Sequence, residues 1–267
     1  MHRNSRLILS GKIGCKKEFL AQCRTVSLGV VMVTFILEEQ MKVTYSAVFL
    51  AIAMIGCASS PQIPEVTITI DEYGEHLMHY FENKNDAIIY ETISIYKNDD
   101  NTAMLDRIDS IVVFFFYGIQ GDDIARYNNF KRIVAGSKVE RLINIFNIID
   151  ETDIAAYLEA QDPSPDKNHI YWTLYLATGN TRYMDYLIKI IVDYYHETEN
   201  ANYYLAARSA LWSLASNMLT FISVREYVQN NATLPGNIRD YITHNDPNKI
   251  QADTGRFINE QRQRGAW

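Results

Sequence analysis

Between Asn180 and Glu197 the chain offers very little to water. Tyr183, Met184, Tyr186, Leu187, Ile188, Ile190, Ile191, Val192, Tyr194 and Tyr195 are apolar or aromatic. Asp185, Lys189, Asp193 and His196 fall on one stripe at helical spacing. A helix that is apolar nearly all round, with one narrow wet stripe, belongs in the middle of a bundle. Asp185 and Lys189 stand four apart with the acid first, which predicts an i,i+4 ion pair of about 0.2–0.5 kcal/mol. The segment needs neighbours, and the rest of the chain must supply them.

The neighbours read as helices too. Asp71 can cap a helix over Glu72–Asn83, and Asp86 a second one carrying Ile89, Ile93 and Tyr96. Met104, Leu105, Ile108, Ile111, Val112 and Phe115 keep helical spacing into the run Val112–Tyr117, with Gly118 and Gly121 expected to end the helix. A further helix runs from Asp122 or Asp123 to Gly136, and another, capped by Ser137, covers Lys138–Ile149. Thr152 opens a short one. Pro163 and Pro165 break the chain, at a surface loop or at a hinge between sub-bundles. Tyr203–Leu219 carries small residues at Ala206, Ala210 and Ser213 that allow close approach. Ser223–Asn230 and Leu234–His244 form a last hairpin. Only Val66–Ile70 alternates, as one edge strand or an extended lead-in.

The fold expected is all-α, with stacked αα-hairpins forming a tetratricopeptide-like solenoid or a compact helical bundle. The helical domain spans 71–245, and 246–267 is a polar C-terminal tail expected to fray. Ile108–Val134 and His169–Val192 share an order of helix, glycine, helix but little residue identity, so they are repeat-like only.

Tyr171-Trp172, followed by Ala177-Thr178-Gly179-Asn180 and Tyr183, resembles a signature of a group of uncharacterised bacterial proteins with tetratricopeptide-like helices. Ala210–Asn217 resembles their second signature. The similarity covers roughly Phe114–Asn230. A tetratricopeptide repeat has a glycine about four residues after the tryptophan, where Tyr175 and Leu176 stand here. The resemblance implies a helical-hairpin fold and a binding role, and offers no catalytic residue. Gly179 is expected as a left-handed C-cap and Asn180 as the next N-cap. Trp172 and Trp212 are expected as core anchors.

Upstream, Met41, Lys42 and the mostly apolar run Val43–Ile55 have the shape of a bacterial secretion signal. Ending in Ile55-Gly56-Cys57, the segment resembles a lipoprotein signal cleaved between Gly56 and Cys57, with Cys57 lipidated. Residues 41–56 are then the signal peptide and 57–70 the lipidated cysteine and its tether. Residues 1–40 are expected to be a mis-assigned extension, because the codons of Glu38-Glu39 make a purine-rich stretch just before an ATG. The competing reading joins Val30–Leu37 to a longer anchor, which Glu38, Glu39 and Lys42 would interrupt. Ala58, where inner-membrane lipoproteins carry aspartate, resembles the outer-membrane pattern. The expected location is the outer membrane, lipid-anchored and facing the periplasm. The expected partners are the membrane, through the N-terminal lipid, and an envelope protein.

Charge narrows the partners. The chain has 25 Lys/Arg and 32 Asp/Glu. Seven of the basic and three of the acidic residues precede Cys57, so the remainder holds 18 and 29, a net charge of −11. Such a body does not suit nucleic acid. The cysteines are Cys15, Cys23 and Cys57. With Cys57 acylated and the other two in the leader, no disulfide framework or cysteine metal site remains.

Sequence motifs supply little chemistry. His76 and His79, with Glu72 and Glu75 nearby, could hold Zn²⁺, but His-Leu-Met-His is not the His-Glu-x-x-His of a zinc protease helix. A solvated helix face is expected there, with no metal and no cofactor. There is no Gly-x-Ser-x-Gly elbow. Asp99-Asp100 and Asp122-Asp123 sit at turns, where acids ordinarily cap. The expectation is a non-enzymatic lipoprotein of the envelope acting as a protein-interaction or structural module. The alternative is a cell-wall-directed hydrolase using paired carboxylates.

Overall fold

The computed structural model describes residues 63–98 and 102–267. Gly56 and Cys57 lie outside the described residues, as do the signal segment and the Asp99-Asp100 pair. The described residues form thirteen helices and no strand. None of these helices is long and apolar enough to cross a membrane. The helices are α1 (Ile70–Met78), α2 (Tyr80–Asn83), α3 (Ile88–Asn98), α4 (Thr102–Asp122), α5 (Ile124–Ser137), α6 (Glu140–Glu151) and α7 (Ile154–Ala160). They continue as α8 (Pro165–Thr178), α9 (Arg182–Tyr194), α10 (Ala201–Thr220), α11 (Ile222–Asn230), α12 (Gly236–His244) and α13 (Pro247–Gln263).

Local chemistry sets the boundaries. Thr69, not Asp71, caps α1 in a reciprocal capping box with Glu72. Val66–Ile68 is an extended lead-in with no strand partner. The Asp123 carboxylate accepts the Arg126 N–H at 2.9 Å to start α5, and Asp153 starts α7 in the same way from Ala156. Ser164 caps α8 with Pro165 at its first position. Ser137 ends α5 rather than opening α6, and left-handed Lys138 makes the turn. Gly179 closes α8 at φ 73°, as expected. Asn180 Oδ1 takes the Arg182 N–H at 3.1 Å at the start of α9.

The apolar run in α4 is helical because its buried residues, Val112, Phe115, Phe116 and Ile119, are three or four apart. Phe116 lies edge-on to Phe115 and Phe130 and against Phe146, so one ring ties α4 to α5 and α6. Gly118 does not end this helix, which runs on to Asp122, one residue past Gly121. At Gly118, α4 crosses α8 so closely that a Cβ there would stand 3.0 Å from Ala177 Cβ. Helix α4 thereby joins a first group, α3 to α6, to a second, α8 to α13. Helices α1 and α2 return onto α8. Contacts between elements so far apart in the chain are those of a bundle, whereas a linear stack touches only its neighbours.

Helix α9 is shorter than the spacing alone suggests and ends at Tyr194. Asp185, Lys189 and Asp193 face water, as does His196 just beyond the helix, and α8 and α10 pack on the other side. Lys189 pairs with Asp193, not with Asp185, which instead accepts the Tyr227 hydroxyl from α11. The polar stretch after Asp246 is helical. It forms α13, docked on α10 through buried Ile250 and through Phe257, whose ring stacks on Tyr204 at 4.5 Å. Its polar residues dominate the stretch, so these few anchors leave little mark in the sequence.

Candidate binding cleft

Three helices leave a hollow where α1 returns onto α8 beside α10. Its volume is about 590 Å³, within the ordinary range of ligand pockets. Each wall is one helical stripe. Helix α1 contributes Asp71, Gly74, Glu75 and Met78; α8 contributes His169, Trp172, Thr173 and Leu176; α10 contributes Ser209, Trp212, Ser213 and Asn217. Ile111 of α4 closes one end.

The floor is rigidly built. Trp172 Nε1 donates to Ser213 Oγ at 2.7 Å, and Ser213 in turn donates to the Ala210 carbonyl at 2.9 Å. Ser213 is small enough to let α8 approach α10, and its hydroxyl satisfies the buried indole N–H. Trp172 also lies edge-on to Tyr175, at 5.6 Å. Next to it, Asn168 Nδ2 donates to the Ala206 carbonyl at 2.7 Å, leaving Asn168 Oδ1 buried without a partner. Flipping the amide would lose the Ala206 bond, so the oxygen stays as an unpaired acceptor behind the cleft.

Trp172 is the core anchor the sequence predicts. Trp212 is not: it is 40% exposed and its ring stands at the cleft mouth. Ile111, 41% exposed, faces the same space. Beside Asp71 in the chain, the charge of Glu72 is used for capping. The Thr69 N–H and hydroxyl, at 2.9 and 2.8 Å, hold its carboxyl below the usual range. Asp71 has no cationic partner among the described residues. Among the described residues Glu75 meets only His79, at 4.0 Å. Among the described residues no lysine or arginine lines the cleft.

The other predicted chemistry disperses. His76 and His79 line a smaller hollow of about 270 Å³ but bind different carboxylates. His76 Nδ1 meets Glu91 at 2.9 Å, and His79 Nδ1 meets Glu82 at 2.7 Å. Among the described residues no three His, Cys, Asp or Glu side chains converge as a metal set would. Asp122 pairs with Lys84 at 2.7 Å while Asp123 caps α5, so this acidic pair faces no shared cleft. The sequence reading missed the cleft because its walls come from helices far apart in the chain.

Compared with protein-family models, with curated proteins and with solved structures, the chain matches none. The cleft must be interpreted from its own chemistry, which is apolar and aromatic inside and acidic at the rim.

Proposed function

We propose that the chain is a membrane-anchored lipoprotein of the bacterial cell envelope, held through Cys57 in the outer membrane and facing the periplasm. Its helical body acts there as a protein-interaction module. The observation that carries the second half is the cleft. A tryptophan and an isoleucine stand about two-fifths exposed at a preformed apolar hollow. Large apolar side chains left open beside one another favour recognition over solvation. The signal-like run ending at Cys57 supports the anchor, and the resemblance to tetratricopeptide-like proteins supports the binding role.

Two measurements test this function. The first is the intact mass of the protein from native membranes, beside a Cys57→Ala variant. A mass of residues 57–267 plus acyl chains, lost in the variant, is expected; an unlipidated chain retaining residues 1–56 would remove the anchor. The second is crosslinking in intact cells followed by purification. Reproducible capture of an envelope protein is expected, and repeated capture of none would count decisively against an interaction module.

A further inference from the structure

Granted the interaction-module reading, on which this rests, we propose that the cleft receives a protein segment of defined chemistry. The segment lays a large apolar side chain between Trp172 and Trp212 and a lysine or arginine against the acidic rim.

The charge around the cleft is one-sided. Asp71 and Glu75 stand on the α1 wall, and no lysine or arginine answers them from α8 or α10. The positive N-terminus of α1 offsets part of the Asp71 charge, because Asp71 lies in the first helical turn. Glu75, a turn further on, has the His79 ring near it at 4.0 Å and no lysine or arginine among the described residues. Asn168, which also lines the cleft, keeps its Oδ1 as a buried acceptor without a partner, which favours a donor over an anion there. The exposed face of Trp212 attracts a cation over its ring. All of these features favour a cationic group in an apolar setting and disfavour a carboxylate or phosphate. An anionic lipid surface is disfavoured for the same reason.

The shape favours a chain segment over a compact ligand. Leu219 stands seven residues after Trp212 on the same face of α10 and is 68% exposed; Ile222, at the start of α11, is exposed to the same degree. Seven helical residues span roughly 10 Å. Exposed apolar side chains on this face of α10 therefore recur two turns apart, with Ser216 between them, a spacing that a chain segment can bridge and a compact ligand in the cleft does not. An amphipathic segment with apolar side chains at helical spacing and one flanking cation matches both the track and the rim.

The test uses the purified full-length chain in non-ionic detergent and a labelled amphipathic peptide of leucine and lysine, followed by fluorescence anisotropy. Two control peptides accompany it: one with glutamate replacing lysine, one with serine replacing leucine. The Leu/Lys peptide is expected to bind, and each control to bind roughly tenfold more weakly or less, a loss of about 1.4 kcal/mol. Trp212→Ala and the double variant Asp71→Asn/Glu75→Gln are each expected to weaken the Leu/Lys peptide about tenfold. All three substituted residues are solvent-exposed, and an unchanged thermal melt verifies the fold. Absence of Leu/Lys binding, equal binding of the Leu/Glu peptide, or wild-type affinity in both variants would overturn the proposal. If cells yield a crosslinked envelope protein while the peptide fails, only the cleft assignment falls and the interaction module stands.

Discussion

Trp172 and Ser213 share a buried hydrogen bond of 2.7 Å that fastens α8 to α10 directly beneath the cleft. Both side chains are 7% exposed, so water does not readily replace either partner. Ser213→Ala leaves the indole N–H buried and unpaired, and a loss of about 1–3 kcal/mol is expected by urea unfolding. Trp172→Phe removes the donor and also part of the packing. Once the donor is gone, the serine hydroxyl has less to lose. The double variant should therefore cost less than the sum of the two singles. Additive losses would mean that the bond contributes nothing beyond packing.

Two glycines on α4 should respond in opposite directions. At Gly118 a new Cβ meets Ala177 Cβ at 3.0 Å, while at Gly121 it meets nothing within 4 Å. Gly118→Leu forces α4 away from α8 at the junction of the two helix groups, at a cost of about 1–3 kcal/mol or more. Gly121→Ala replaces a flexible residue in the last turn of the helix, where nothing obstructs a Cβ, and should stabilise by less than the ~1 kcal/mol of an interior site. Thermal melts of the two variants beside the unaltered chain decide the matter, and shifts of the same sign would contradict the packing described here.

The contrast between these glycines marks where sequence reasoning stops. Helical spacing identifies α4, α6 and α9 from their own residues, because burial on one face leaves a local period. It cannot say that Gly118 continues a helix, because the reason lies in Ala177, on another element. Lys189 illustrates the same limit: two carboxylates lie four residues away, one on each side, and Tyr227 of α11 decides by binding Asp185. Helix α10 hides its faces for another reason. Apolar residues surround it, so the periodicity that would have separated buried Leu211 from exposed Trp212 is weak. The cleft needs the return of α1 onto α8, a non-local contact that no window of sequence contains.

Asp150 should give the fold an acid-sensitive term. Burial works to raise its carboxyl pKa, but the Lys131 ammonium and the Tyr127 hydroxyl, which donates at 2.8 Å, outweigh burial and hold it below the ordinary 3.8. A carboxyl lowered in the folded state stabilises above its unfolded pKa and loses that contribution as pH falls through the folded one. The chain should therefore lose stability faster than an Asp150→Asn variant as pH drops below about 4. Urea midpoints across that range test it: parallel curves for the two proteins would remove Asp150 from the acid response.

The last helix should be part of the cooperative unit. Helix α13 covers Tyr204, which is 1% exposed, with the Phe257 ring at 4.5 Å, and Trp267, beyond the helix end, adds its ring at 5.3 Å. Ile250 is fully buried beneath it, and the Tyr241 hydroxyl donates to Asp253 at 2.7 Å from α12. Ile250→Ala leaves a cavity at this seam, with an expected cost of about 2–5 kcal/mol. Trp267→Ala removes a more exposed ring and one hydrogen bond to the Thr198 carbonyl, and should cost clearly less. If α13 is integral, Ile250→Ala lowers the single unfolding midpoint of the whole domain. A helix that only rests on the surface would come away first, giving an early separate transition and leaving the main midpoint where it was.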